Sequence, residues 1–148
     1  MISLNKQTDY GVQLLLALQE LPKGEVLSLR LFSQNQNISF LFLQQIARKL
    51  KQAGLIAASK GAQGGYFLAK QGSEIRLTDI INAIDGEYAI VECMKKNSDC
   101  PKESTCTSKP LFTVLQTNML QSMNAYSLAD MPMLHPDSVG TTPGRQEN

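Results

Sequence analysis

From Lys6 to Leu21, apolar residues at Tyr10, Leu14, Ala17, Leu18 and Leu21 return at the spacing of an amphipathic helix, with Leu15 and Leu16 widening the stripe. Pro22-Lys23-Gly24 ends it. Ser28 is placed to cap a short second helix through Leu29, Leu31 and Phe32, stopped by Gln34-Asn35-Gln36-Asn37. Ser39 caps a third, running to about Ala53 with Leu43, Ile46, Ala47 and Leu50 on one face, and Gly54 stands where a helix C-terminus wants a left-handed residue. The rhythm then changes. Leu55–Ser59 and Tyr66–Ala69 read as short strands around Lys60-Gly61-Ala62-Gln63-Gly64-Gly65. Thr78 is expected to cap a further helix through Ile80, Ile81, Ala83 and Ile84, closed by Asp85-Gly86. Two helices joined by a brief polar turn and followed by a hairpin predict a mainly α fold, a winged helix-turn-helix.

After the cysteine-bearing stretch, Pro110 is a suitable residue for a helix start. Leu111, Val114, Leu115, Met119, Leu120, Met123 and Tyr126 follow, apolar on more than one side of the helix. A helix that apolar calls for a partner, and a second copy of the chain is the economical one. The expected divisions are 1–86 for the DNA-binding domain, 87–109 for a cysteine loop, 110–133 for a dimerisation helix with a short end segment, and 134–148 for a polar, Gly/Pro-rich disordered tail.

Charge sharpens this picture through its distribution, since the formal net charge is only +1. No acid stands between Glu25 and Glu74, whereas Arg30, Arg48, Lys49, Lys51, Lys60 and Lys70 all do. Acids gather afterwards, at Glu74, Asp79, Asp85, Glu87, Glu92, Asp99 and Glu103. A basic contact surface joined to a more acidic half follows, with double-stranded DNA as its partner. Gln44, Gln45 and Arg48 suit base edges, while Lys49, Lys51 and Lys60 suit backbone phosphates. Ser39, Gln63, Gly64 and Gly65 complete the expected DNA-contacting set. Of Phe40, Leu41 and Phe42, at least one is expected to face solvent or DNA.

The three cysteines of the chain, Cys93, Cys100 and Cys106, crowd into one short polar segment. An odd trio cannot form a complete disulfide framework. It can supply three thiolates to an iron–sulfur cluster or to zinc, with the fourth ligand drawn from elsewhere. The C-x6-C-x5-C spacing is not the tight C-x2-C of zinc ribbons, so metal and nuclearity stay open. His135, the one histidine, is expected at the surface rather than on a metal. No nucleophile–base pair and no phosphate loop is evident, so an enzyme and a small-molecule substrate are not expected. Neither a membrane span nor a signal peptide is visible, which places the chain in the cytoplasm, where thiols stay reduced.

Together these stretches resemble the IscR/NsrR family of dimeric winged-helix regulators. The likeness runs from about Leu4 to Met131 and is carried by Thr8-Asp9-Tyr10-Gly11, by Gln44 through Ile56, by the wing from Lys60 to Ala69, by the cysteine loop and by Ser127-Leu128-Ala129-Asp130-Met131. The resemblance implies an iron–sulfur cluster, [2Fe–2S] or [4Fe–4S], on Cys93, Cys100 and Cys106, and a repressor that senses cluster or redox status and controls cluster-assembly genes. A nitric-oxide-sensing repressor of the same family is the alternative, and an iron–sulfur electron carrier is the alternative from another class. Asp9 matches an acid that can be the fourth ligand in the nitric-oxide-sensing branch, reaching across the dimer; otherwise it is an acid favouring the helix dipole. Some members carry a histidine ligand three residues past the third cysteine, where this chain has Lys109, whose ammonium has no free lone pair. Gln44 replaces a family glutamate, and Lys60 replaces the usual wing arginine and loses its planar fork.

Overall fold

A computed structural model describes residues 4–134; His135 and all of the expected tail except Leu134 lie outside them. Among the described residues the helices are α1 (Lys6–Gln19), α2 (Leu29–Gln36), α3 (Phe40–Gln52), α4 (Leu77–Asp85) and α5 (Lys109–Ala125). The strands are β1 (Ile56–Ser59) and β2 (Gly65–Leu68), between α3 and α4. They pair antiparallel, Ile56 opposite Leu68 and Ser59 opposite Gly65. Leu27, ahead of α2, exchanges two backbone hydrogen bonds with Tyr66, at 2.8 and 2.9 Å, and adds a third short rung to the wing. Its neighbours do not alternate in the manner of a strand, so the sequence pattern is silent on this rung.

Side-chain caps set several helix boundaries. Asn5 accepts from Thr8 N–H at 2.9 Å at the start of α1, and Ser28 from Leu31 N–H at 3.3 Å at the start of α2. Asn37 ends α2 in the left-handed region, with φ 53°. Thr78 does not cap α4. The cap position is Arg76, whose N–H donates to Asp79 Oδ2 at 2.8 Å, and the Thr78 hydroxyl instead donates to Asn124 of α5. Asp79 lies three residues inside the helix and satisfies the same orphan donor that a threonine cap leaves free.

Leu14, Leu15, Leu43, Ile46, Leu50, Ile56, Ile75, Ile80 and Leu128 are fully buried and join α1, α3, α4 and the wing in one core. Gly11 lets α1 and α4 pack closely: a Cβ there would strike Ile84 Cδ1 of α4. Leu128 is the surprise in that set. After α5 the chain returns to the winged domain, where Leu128 N–H donates to Ile75 O at 2.8 Å and Gln19 Nε2 to Leu128 O at 3.2 Å. The segment after α5 is thus built into the core of the part expected to end at residue 86, because one leucine and a β-bridge between Arg76 and Ser127 tie it there. Leu128→Ala should therefore lower the unfolding free energy by about 2–5 kcal/mol in a urea titration. A loss below about 0.5 kcal/mol, typical of surface sites, would show that the segment is merely appended.

Candidate nucleic-acid interface and thiol site

The face of α3 opposite the core presents Leu41, Gln44, Gln45, Arg48, Lys51 and Gln52, all exposed. Leu43, Ile46, Ala47 and Leu50 are buried on the other side, so packing fixes which residues look outward. Of the three residues left open at the helix start, Leu41 is the outward one, 70% exposed. Phe42 packs edge-on against Tyr10, ring centroids 5.8 Å apart, and Phe40 lies under the Arg30 guanidinium at 4.4 Å. An exposed leucine among glutamines and an arginine is suited to the thymine methyl, the apolar feature of the major groove. Sequence reading narrowed this to three residues, and which one points outward required the packing of its neighbours. Ser39 has a local task, its Oγ accepting from Phe42 N–H at 3.5 Å, the outer limit of a hydrogen bond.

Lys49, expected on a phosphate, is engaged within the fold. Its half-buried ammonium donates to Gln7 Oε1 and to Ile84 O, both at 2.8 Å, and so braces α3 against α1 and the end of α4. The wing keeps Lys60 and Gln63 exposed. Gly64 and Gly65 are glycines for the fold's own sake: a Cβ at Gly64 would strike Ser59 O, and one at Gly65 would strike Leu27 O. Gln44, Gln45, Arg48, Lys51, Lys60 and Gln63 remain as groups free to meet DNA.

Below the winged domain, the loop from Gly86 to Ser108 is held mainly by polar bonds. Ile90 N–H donates to Gln116 Oε1 of α5 at 2.9 Å, and the Tyr88 hydroxyl meets Met119 Sδ at 3.4 Å. Lys96 N–H donates to the Glu87 carboxylate at 3.1 and 3.2 Å, and Ser98 Oγ to Cys93 O at 2.6 Å. Cys93, Cys100 and Cys106 line one cavity of about 110 Å³, walled by Val91, Met94 and Phe112 with Glu103, Ser108 and Lys109 at its polar side. Among the described residues no three Cys, His, Asp or Glu groups already sit close enough to hold a metal ion. Ligation would require the loop to draw its thiols inward. The donor set fits an iron–sulfur cluster in kind: three thiols, no disulfide among them, and an apolar wall on one side.

The start of α5 shapes this cavity. Its first turn carries no acid, and Ser108 gives it no side-chain cap. The Cys106 sulfur lies 3.3 Å from the Ser108 hydroxyl, and that contact, with the Ser108 and Lys109 backbone N–H groups and the Lys109 charge, holds the thiol below its ordinary range. Lys109 Nζ donates to Glu103 Oε1 at 2.7 Å, which holds the carboxyl below and the ammonium above their usual values. Both are largely exposed, so solvent screens the pair and it contributes little to stability. Asp9 is elsewhere. It accepts from Gln13 Nε2 at 3.1 Å and lines a second cavity with Leu4, Asn5, Lys6, Thr8 and Leu77. One chain does not bring Asp9 to the thiols, which leaves a route across a dimer as its remaining path to them.

A buried-faced third helix with a polar outer face, followed by a two-stranded wing, defines a winged helix-turn-helix protein. Residues 4–132 match the sequence profile of Rrf2, described as an iron-dependent transcriptional regulator, and the chain belongs to that family. It is 30% identical over 130 residues to protein rrf2 of Nitratidesulfovibrio vulgaris, covering 88% of this chain and 87% of that one. The HTH-type transcriptional regulator NsrR of Halalkalibacterium halodurans is also 30% identical, over 131 residues, covering 88% and 90%. The solved structure of T. potens IscR superposes with a TM-score of 0.67 at 25% identity, covering 97% of this chain and 94% of that one. The chain is a DNA-binding transcriptional regulator and not an enzyme, which leaves the electron-carrier alternative unsupported. No helix among the described residues is long and apolar enough to cross a membrane.

The two lysines should separate cleanly in a DNA titration at several salt concentrations. Lys60→Ala should lower the salt slope by about one unit. Arg48→Ala should cost about 1–3 kcal/mol and relax preference at one operator position. Lys49→Met should leave the slope alone and instead lower the unfolding free energy by about 1–3 kcal/mol, through the stranded Ile84 carbonyl. A reduced salt slope in Lys49→Met would return that residue to the DNA face.

Proposed function

We propose that this protein is a homodimeric repressor whose DNA affinity is set by an iron–sulfur cluster on Cys93, Cys100 and Cys106, and that it controls genes for cluster assembly. The observation that carries the reading is the gathering of all three thiols of the chain on one cavity between the loop and α5. A nitric-oxide-sensing repressor is the second reading, supported by the identity with NsrR.

An iron–sulfur cluster held there would supply a redox-active centre open to oxygen or nitric oxide. The protein's part is to convert order in the loop into position of α3. The loop leaves α4 at Gly86. Asp85 just before it accepts from Thr8 Oγ1 at 2.6 Å and from Asn5, and Ile84 O accepts from Lys49 of α3. Drawing the thiols inward pulls on this junction and on the first turn of α5 together.

Two copies are needed for that shift to matter. Phe112, Gln116 and Met119 turn toward the loop. On another side of α5, Leu111, Val114 and Leu115 stay 60%, 57% and 42% exposed, a face suited to a second α5. Recognition helices paired this way would read half-sites about 34 Å apart, so a small change in their separation costs affinity.

Anaerobic purification with iron and sulfide analysis tests the cluster: wild type should be coloured, and each of Cys93→Ser, Cys100→Ser and Cys106→Ser should lose the stable chromophore, a hydroxyl being a poor substitute for thiolate. Colourless wild-type protein, or single mutants with full iron content, would overturn it. Leu115→Glu should turn the dimer into monomer in sedimentation; a dimer that persists would place the interface elsewhere.

A further inference from the structure

We infer that Glu103 supplies the fourth protein ligand to the thiol site, from the same chain. The inference rests on the cluster reading above. Cys100, Glu103, Cys106 and Lys109 follow one another at three-residue intervals, and all four line the cavity that holds Cys93. Tight backbone turns bring Glu103 back beside Cys100. Glu103 N–H donates to Cys100 O and Thr105 N–H to Lys102 O, each at 3.1 Å. In such turns side chains three apart fall on one side. The carboxylate therefore stands between two of the three thiols in sequence and beside them in space.

Its chemistry suits the place. A carboxylate is harder than a thiolate, can bind iron through one oxygen, and is the more easily displaced of the two. Lys109 engages only Oε1 among the described residues, which leaves Oε2 free to turn toward the cavity. The same ammonium would hold the carboxylate in place and offset the charge of the three thiolates. Glu103 is mostly exposed, 64% for its side chain, and so can swing inward without unpacking a core. Lys109 itself cannot serve, since its ammonium has no free lone pair, so the fourth place falls to a carboxylate. Asp9 competes for it only from a second copy, because within the chain it borders a different cavity.

The test uses the full chain, loaded anaerobically with iron and sulfide, in Glu103→Gln, Lys109→Gln and Asp9→Asn variants. The readouts are visible absorption and circular dichroism, the electron spin resonance of the reduced cluster, and the rate of bleaching in air. Glu103→Gln should shift the spectra and bleach roughly tenfold faster or more, since even an outer partner of a metal ligand is worth about 10–100-fold in affinity. Lys109→Gln keeps the carboxylate but loses its ion pair, and should shift the spectra and the bleaching rate much less than Glu103→Gln, which separates loss of a ligand from loss of the ion pair. Asp9→Asn should match wild type throughout. A Glu103→Gln protein with wild-type spectra and bleaching rate overturns the assignment, as does a spectral shift confined to Asp9→Asn. Wild type that takes up no iron and sulfide overturns the cluster reading itself, and this inference with it.

Discussion

The end of α4 is the point at which the recognition helix, the first helix and the cysteine loop are tied together. Carbonyls in the last turn of a helix have no partner within it, and a carboxylate there opposes the helix dipole. Ile84 and Asp85 present both problems side by side. Lys49 reaches from α3 to the Ile84 carbonyl, while Thr8 and Asn5 of the α1 start satisfy Asp85. Thr8 is fully buried, so its hydroxyl has little alternative to that bond. The bonds that close α4 also fix where α3 sits relative to α1, and the loop begins at the next residue.

Helix α5 carries two separate duties on one surface. Its N-terminal N–H groups, left without a side-chain cap, turn toward Cys106, and Phe112 walls the thiol cavity. Farther along, Gln116 and Met119 hold the loop, while Leu111, Val114 and Leu115 are left bare on another side. A helix with none of its residues buried in the isolated chain gains little from its own fold. It becomes a stable element by what it packs against. The return of the chain through Leu128 anchors its far end in the winged core.

Much of this was legible in residue order. The helix faces of α1 and α3, the caps Ser28 and Ser39, Gly54 beyond α3 and the hairpin all follow from periodicity and turn chemistry, which act locally. What escaped depends on partners distant in sequence. Lys49 looks like any exposed basic residue on a helix, and only the fold shows its ammonium bonded to Ile84 and Gln7. Thr78 resembles a helix cap, but the helix starts two residues earlier, where Asp79 in its first turn reaches back to the Arg76 N–H. Gly64 and Gly65 stand in a loop whose sequence shows nothing of their neighbours, and the fold shows Ser59 and Leu27 pressed against them. The thiol trio was visible from spacing, but its cavity wall, Val91, Met94 and Phe112, comes from two elements that only the fold brings together.

The central claim is that the state of the thiol site sets the affinity of the α3 face for DNA. The direct measurement is the dissociation constant for a duplex selected by this protein from a random-sequence pool, with one preparation compared cluster-loaded and after anaerobic removal of iron, at a single fixed salt concentration. The account predicts constants that differ by about tenfold or more, a coupling of about 1.4 kcal/mol. Equal constants in the two states, with both preparations folded and dimeric, would contradict it.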